Sequence, residues 1–445
     1  MQIREKRHWT HEDGRTRVAD VAVLTPSSAL EVGIRPGTRA YRRVVVALFA
    51  AGVATFALLY GTQALLPLLA ERFGVSAGTS AWSLSVTTLG LAGALLVVGP
   101  LSDRVGRTPL IHASVTLASV VGLVCALAPS WPALVGLRLL EGVVLAGLPA
   151  VATAYLREEL RPGSQARAVG LYVAGTALGG MAGRLLTGAV AELAGWRWAL
   201  ASAALLGLGC AAVVRVLLPA SRGFRPGPTG LRNALGTVRG ALHDRALLAL
   251  FGTGACAMGV LTVLLNTVGF RLAGAPFHLG LTAASLVFCV YPVGSVTSAT
   301  AGRLADRFGR RTVLPLGCVV ALVGVLLTLP ASLPLLVVGL ALVVAGFFAV
   351  HGVASGWVPV RAHAGGLATG QAASLYLFAY YVGASLFGAL GGHTWNTGGW
   401  PGVVALAAGL VVVLGVLALV LRRTPTLLTD PPAAPGTAAQ ARTSR

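Results

Sequence analysis

The sequence predicts an all-α membrane protein with twelve transmembrane helices in two six-helix halves. Composition, the recurrence of long apolar segments and one repeated loop motif support this fold class. Of the 445 residues, 56% are hydrophobic and only 11% are charged, whereas a soluble domain carries roughly 25% charged residues. Such a chain cannot cover its surface with charge in water, so we expect most of it to lie in lipid.

Apolar segments long enough to cross a bilayer, which takes about 20 residues, occur twelve times. Backbone groups in hydrocarbon must be satisfied within their own segment, so each segment is predicted to be a helix. The first six, in a bundle over 44–218, are 44–69, 81–100, 109–129, 132–156, 169–193 and 197–218. The second six, in a bundle over 246–421, are 246–271, 281–301, 313–330, 334–358, 369–393 and 401–421.

Polar segments flank and separate the two bundles. Residues 1–43 are basic and contain no apolar core, so they predict a disordered tail without a signal peptide. A central loop is expected over 219–245 and a second tail, rich in Pro, Ala and Thr, over 422–445. The central loop is expected to lie on the anionic inner surface of the membrane.

Basic residues predict the orientation. They are concentrated in the tails and in alternate loops, and the remaining loops hold only Arg72, Arg197 and Arg271. Because loops rich in Lys and Arg stay on the cytoplasmic side, both termini are predicted to face the cytoplasm, with the protein in the plasma (inner) membrane. The net charge of +20 therefore indicates membrane topology, and nucleic-acid binding is not expected.

Cysteine and histidine show no pattern of a metal or redox site. The five cysteines stand singly in apolar runs, with no C-x-x-C pair, and the eight histidines have no ligand spacing. We expect no metal and no cofactor. The loops lack a reactive cluster, so a membrane-embedded enzyme is not expected. A channel would not need a doubled six-helix plan.

One loop motif occurs twice, at an offset of 203 residues. The run from Gly99 to Arg107 reads G-P-L-S-D-R-V-G-R, and the run from Gly302 to Arg310 reads G-R-L-A-D-R-F-G-R. Each copy follows the second helix of its half. Glycine allows a tight turn or close helix approach, and aspartate can hold a nearby arginine. The residues singled out in the two copies are Gly99, Asp103, Arg104, Gly106, Arg107, Gly302, Asp306, Arg307, Gly309, Arg310 and Arg311.

These loops resemble the signature of the major facilitator superfamily, G-x-x-x-D-R-x-G-R-R/K. The second copy is complete and ends at Arg311, whereas the first has Thr108 at that position. The resemblance implies a monomeric carrier with a solute site between the halves, lined by the helices that start at 44, 132, 246 and 334. It also implies that the residues singled out in the two loops are gating residues, whose charges form a network between the halves in one state and release it in the other.

Three charged residues are predicted to lie at one depth inside the membrane: Arg138, Glu141 and Arg184. Such residues are costly in lipid and are functional candidates by default. Glu141 either exchanges a proton or is a permanently ionised clamp between Arg138 and Arg184, and both interpretations remain open. Two neighbouring cations favour the charged carboxylate.

Two further patterns resemble bacterial drug–proton antiporters and efflux permeases. Arg138 to Gly142 resembles the fourth-helix motif, with Glu141 where Gln is usual. A fifth-helix glycine motif comprises Gly175, Gly179, Gly180 and Gly183, but it departs by having Gly180 instead of proline and Arg184 instead of glycine. Residues that could contact a solute along the path are Tyr60, Gln63, Asn266, Tyr291, His351 and Tyr380.

The leading hypothesis is a proton-coupled antiporter that exports a drug-like molecule or metabolite by alternating access. Its expected partners are the bilayer, a small solute and protons. The alternatives are a proton symporter for uptake and a facilitator without ion coupling, and the loop motifs do not separate these three.

Overall fold

The computed structural model describes residues 6–12, 15–21, 33–221, 223 and 231–425. The helices of the first half begin at Arg39, and two of its crossings are built from consecutive shorter helices. Its elements are α1 (Arg39–Tyr60), a 3-10 turn (Gly61–Leu65), α2 (Leu66–Phe73), α3 (Ala77–Val105), α4 (Arg107–Ala126), α5 (Trp131–Leu145), α6 (Gly147–Glu159) and α7 (Pro162–Leu217).

The second half follows a connecting helix, and only one of its crossings is built from consecutive shorter helices. Its elements are α8 (Leu231–His243), α9 (Arg245–Ala273), α10 (Leu281–Ser285), a 3-10 turn (Leu286–Val290), α11 (Tyr291–Phe308), α12 (Arg310–Leu327), α13 (Leu333–Ala364) and α14 (Thr369–Arg423). Within the described ranges, ten helical segments are long and apolar enough to cross a membrane.

Two of these segments contain two crossings each. Helix α7 has 56 residues and α14 has 55, which at 1.5 Å per residue is about 80 Å and far longer than a bilayer core of about 30 Å. The backbone leaves the helical conformation at Gly195 (φ 82°) and Gly399 (φ 57°), values that glycine adopts without steric cost. The twelve-helix, two-half fold predicted from the sequence is confirmed.

The polar segments contain more regular structure than predicted. Strands β1 (Lys6–Glu12) and β2 (Arg15–Val21) pair antiparallel, with Trp9 opposite Val18, so disorder was a wrong expectation there. Aromatic and β-branched residues favour such pairing. The predicted central loop likewise contains α8. Predictions for residues 1–5, 13–14, 22–32, 222, 224–230 and 426–445 fall outside the described part of the chain.

Helix α1 also begins earlier than predicted, at Arg39 instead of residue 44. The Thr38 side chain accepts a hydrogen bond from the Tyr41 N–H, which satisfies one of the free donors at the helix start. The helix therefore begins about one turn before the apolar run. We call the end of the bundle that holds Thr38, Gly106 and Gly309 the basic end, and the opposite end, which holds Gly195 and Gly399, the far end.

The two halves meet where α3 packs against α14 and where α7 packs against α10 and α11. At Gly78 an added Cβ would lie 3.0 Å from the His393 amide nitrogen, and at Gly392 it would lie 2.7 Å from the Gly78 Cα. Helices α1 and α13 pack chiefly within their own halves. Close backbone contact therefore closes the far end.

We predict that Gly175→Ala lowers the melting temperature of the purified protein by several degrees. A Cβ there would lie 2.6 Å from the Phe49 carbonyl oxygen in α1, and such overpacking costs about 1–3 kcal/mol. Gly170→Ala is the matched control on the same helix, since its Cβ would meet nothing within 4 Å and should stabilise the helix slightly. Equal melting temperatures for the two variants would contradict the prediction.

Candidate functional site

A buried ion pair lies on α5 in the first half. The Arg138 Nη1 donates to Glu141 Oε2 at 2.6 Å, one helical turn apart. Arg138 is 2% exposed and Glu141 is fully buried. Because a lone charge at this depth would be very costly, each residue provides the counter-charge that the other needs.

The Arg138 guanidinium uses all five of its N–H donors. Besides Glu141, it donates to the carbonyl oxygens of Ser83 (3.2 Å), Leu58 (3.2 Å) and Leu59 (3.0 Å), and to Thr62 Oγ1 (3.2 Å). The α1 helix gives way to a 3-10 turn at Gly61, which alters the helical hydrogen-bond ladder and makes the Leu58 and Leu59 carbonyl oxygens available. Arg138 therefore holds the break in α1 against α3 and α5.

The Glu141 carboxylate is only partly satisfied. Its Oε2 accepts from Arg138 and from the Cys125 Sγ at 3.5 Å, whereas Oε1 has no hydrogen-bond partner within the described residues. A cavity of about 10 Å³ lies beside Glu141, Cys125 and Gly122, close to the volume that one water molecule needs. This oxygen is the one that remains available to a proton.

Arg184 does not join this pair, so the predicted three-residue cluster is wrong. Its Nε donates to Gln63 Oε1 at 2.6 Å, its Nη1 to the Gly180 carbonyl oxygen at 2.6 Å and its Nη2 to the Tyr291 hydroxyl at 3.1 Å. Depth along a helix does not determine which neighbour a side chain faces. Here the α7 glycines pack on α1 and direct Arg184 towards the interface between the halves.

Aromatic rings enclose the Arg184 guanidinium. The distances from its Cζ to the ring centroids are 4.5 Å for Tyr60, 4.6 Å for Tyr291 and 5.0 Å for Phe288. Such cation–π contacts compensate part of the cost of desolvating the cation. Tyr60 belongs to the first half and the other two rings belong to the second half, so the cation lies where the halves meet.

An amide pair crosses the same interface. Gln63 Nε2 donates to Asn266 Oδ1 at 2.5 Å, and both side chains are 2% exposed. Gln63, Asn266, Tyr60 and Tyr291 are four of the six predicted path residues, and they lie together beside Arg184. The sequence contained no signal for their joint contact, because they come from three separate predicted helices.

The other two path residues, His351 and Tyr380, lie in an aromatic cluster of the second half. The His351 ring stacks on Phe347 with a 5.5 Å centroid distance, and Nδ1 lies 2.9 Å from the Tyr376 hydroxyl. The Tyr380 ring centroid lies 4.9 Å from that of His351. Phe348 connects this cluster to Tyr291.

The fifth-helix glycines have two structural roles. Gly175, Gly179 and Gly183 bring α7 against the α1 backbone, where an added Cβ at Gly183 would lie 2.6 Å from the Ala57 Cα. Gly180 instead faces Arg184, whose Nη1 would lie 3.2 Å from a Cβ at that position. The two departures from the family motif therefore form a matched pair, since Gly180 leaves room for the guanidinium.

The two repeated loops differ in their contacts. Arg107 pairs with Asp103 at 2.6 Å and with Glu158 at 2.9 Å, all within the first half. Arg104 in the first loop and Asp306 in the second are exposed. In the second loop, the Arg307 guanidinium stacks on Phe308, and Arg311 donates to the Thr424 carbonyl oxygen. Gly106 and Gly309 have positive φ, as their turn role predicts. Gly302 meets nothing within 4 Å, so its predicted role in close helix approach is wrong.

Comparison with known proteins then decides the family. The sequence matches the Major Facilitator Superfamily over residues 45–298 and again over residues 272–444. The chain belongs to the major facilitator superfamily. It is a multi-pass secondary transporter, and not an enzyme.

Relatives in bacteria support this assignment. The chain is 39% identical to the uncharacterized MFS-type transporter YybF of Bacillus subtilis over 85% of this chain and 93% of that protein. It is 42% identical to the inner membrane transport protein YnfM of Escherichia coli over 85% and 90% of the two chains. A bacterial homologue of the human lysosomal transporter Spinster, in an inward-facing and occupied conformation, superposes with a TM-score of 0.66. It is 16% identical and covers 88% of this chain and 96% of its own, which shows a shared fold alone.

Three residues at these sites escaped sequence reasoning. Cys125 reaches Glu141 from α4, Phe288 stacks on Arg184 from the second half, and Glu158 pairs with Arg107. Each belongs to a segment remote in sequence from its partner, and none has a flanking motif. No pattern in a single sequence could have identified them.

We predict that Arg138→Met destabilises the protein by about 3–5 kcal/mol, because it leaves the Glu141 charge buried without a cation. The double variant Arg138→Met with Glu141→Gln should recover much of that loss, since it removes the uncompensated charge. Melting temperature in detergent measures the stability of both variants, with Arg72→Met, at an exposed arginine of the far end, as the control. Equal losses in the single and double variants would contradict a role for the charge pair.

Proposed function

We propose that this transporter is a proton-coupled antiporter that exports a small organic solute by alternating access. The observation that carries the proposal is the Glu141 carboxylate, which is fully buried, has one unpartnered oxygen and borders a water-sized cavity. It is the acidic residue that lies deep in a predicted crossing, and intramembrane carboxylates serve as proton sites in carriers.

The coupling step follows from the partners of Arg138. When Glu141 takes up a proton, the guanidinium loses its counter-charge but keeps its bonds to Leu58, Leu59 and Thr62 at the break in α1. The free energy of the Arg138 cation then depends on whether the conformation of the carrier keeps these bonds. A proton can bias a conformational equilibrium only through such a difference, and α1 is the helix on which this difference acts.

The five hydrogen bonds of Arg138 favour a second candidate function, a facilitator without proton coupling at Glu141. A guanidinium with five hydrogen bonds and an adjacent carboxylate forms a clamp that would stay ionised throughout transport. In that case the carrier would be a facilitator without ion coupling, or would couple to protons elsewhere.

The direction of the described state rests on the positive-inside rule. The basic end carries both loop motifs, the start of α1 at Arg39 and the end of α14 at Arg423, so we assign it to the cytoplasm. The far end, closed by Gly78 against Gly392, then faces outward, and the described conformation is closed to the outside. We further propose that the Asp103 and Asp306 loops join across the halves in the opposite state.

We predict that Glu141→Gln abolishes pH-driven solute counterflow in proteoliposomes while solute exchange without a gradient persists. The amide keeps a hydrogen-bond acceptor for Arg138 but cannot exchange a proton. Glu71→Gln, at an exposed carboxylate of the far end, is the control and should transport normally. Unchanged pH-driven counterflow in Glu141→Gln would remove this residue from the mechanism and favour the facilitator.

We also predict that Glu192→Ala favours opening of the far end. The Glu192 carboxylate on α7 accepts from the Thr282 N–H at 2.6 Å and thus connects the halves. Ser285→Cys, placed at a residue that is 2% exposed in a variant without the native cysteines, reports the opening through its rate of labelling by an impermeant maleimide. Labelling of intact cells should rise several-fold with Glu192→Ala and stay constant with Glu71→Ala. An unchanged rate would show that this contact does not hold the far end closed.

A further inference from the structure

Arg184 is a fully buried cation with no carboxylate partner among the described residues. Its neighbours Gln63, the Gly180 carbonyl, Tyr60, Phe288 and Tyr291 are all neutral. Neutral hydrogen-bond acceptors and cation–π contacts offset only part of the desolvation cost of a guanidinium. A charge retained at such a cost is a candidate functional site.

Comparison with Arg138 shows what Arg184 lacks. Arg138 uses all five N–H donors and has a carboxylate beside it. Arg184 makes three hydrogen bonds, so two of its five donors have no acceptor within the described chain. Arg138 is therefore an internal anchor, whereas Arg184 still has both charge and donors to offer a ligand.

Unpartnered donors continue from Arg184 across the interface. Gln63 accepts from Arg184 and donates to Asn266, so the Asn266 Nδ2 donor has no partner. The Ser85 hydroxyl also has none, and both atoms surround Gly388, at 2.8 Å and 3.4 Å from the position of an added Cβ. Buried donors without acceptors are costly, and a ligand rich in acceptors would satisfy them.

The side chains packed beside Arg184 in the second half are aromatic and mostly buried. Tyr291, Phe348, Phe347, Tyr380 and His351 form a chain of ring contacts that leads away from Arg184 into the second half. Flat apolar rings suit the body of an aromatic solute. One unpaired guanidinium matches a single negative charge, and its planar fork matches a carboxylate, whereas a phosphate dianion would require further cations.

We infer that the transported solute is an aromatic carboxylate whose anionic group binds Arg184 and whose ring packs on the Tyr291–Tyr380 side of the interface. This inference rests on the proposed function for the passage of the solute across the membrane. Binding itself requires neither a proton gradient nor Glu141.

The test measures equilibrium binding to the purified, detergent-solubilised protein. The probes are benzoate, phenylacetate and indole-3-acetate, each compared with its neutral amide, and calorimetry and melting-temperature shifts give the affinities. At least one carboxylate should bind at least tenfold more tightly than its amide. If no carboxylate is preferred over its amide, the inference is overturned.

Substitutions of Arg184 test whether this residue causes the preference for a carboxylate over its amide. Arg184→Gln should remove the carboxylate preference, Arg184→Lys should keep part of it because the charge remains, and Arg197→Gln should leave it unchanged. Melting temperature without ligand shows whether each variant is folded, and Arg184→Lys serves if Arg184→Gln is not. A preference that survives the loss of the guanidinium would overturn the assignment.

Transport separates this inference from the proposed function. Loss of pH-driven transport with carboxylate binding intact would reject proton coupling and leave Arg184 as the anion site. Normal pH-driven transport of a neutral solute, with no carboxylate preference in binding, would reject the anion site alone.

Discussion

The cost of burying charge in hydrocarbon governs this structure. Two buried arginines lie inside predicted membrane crossings, and lipid offers neither of them a hydrogen-bond acceptor. The cost of burying Arg138 is compensated within the first half, because Arg138 pairs with Glu141 and its remaining N–H groups donate to backbone and hydroxyl oxygens. The cost of burying Arg184 is compensated only partly, by hydrogen bonds to an amide, a carbonyl and a hydroxyl and by contacts with three aromatic rings. The first arrangement stabilises the bundle, and the second leaves capacity for a ligand.

Both arginines act on the same short stretch of chain, Leu58–Gln63, where α1 changes to a 3-10 turn. Arg138 bonds Leu58, Leu59 and Thr62, while Arg184 bonds Gln63 and stacks on Tyr60. Thr187 Oγ1 donates to the Gly61 carbonyl oxygen at 2.7 Å, which adds a further tie from α7. The proposed proton site and the proposed solute site are therefore linked through one backbone segment. A segment held from two sides gives a physical route by which occupancy of one site changes the other.

The two halves repeat in sequence but differ in chemistry. The first half provides the buried charges, whereas the second provides the aromatic cluster around His351 and the neutral partners Asn266 and Tyr291. Their loops also differ, because Arg107 is tied to Asp103 and Glu158 while Asp306 is exposed. A solute bound between the halves beside Arg184 would thus meet one cation from the first half and aromatic rings from the second.

The sequence by itself determined that most of the chain lies in lipid, how many times it crosses the membrane and that its two halves repeat. These properties follow from the lengths of the apolar segments and from residues near each other in the chain. It also identified Arg138, Glu141 and Arg184 as the charges to explain, since any charge in a long apolar run is conspicuous. It did not determine which charge pairs with which, and the expected cluster of all three was wrong. Helical depth can be counted along one segment, but the direction a side chain faces depends on how its helix packs. Only the tertiary structure brought Gln63, Asn266, Phe288 and Tyr291 around Arg184, because those contacts join segments from both halves of the chain.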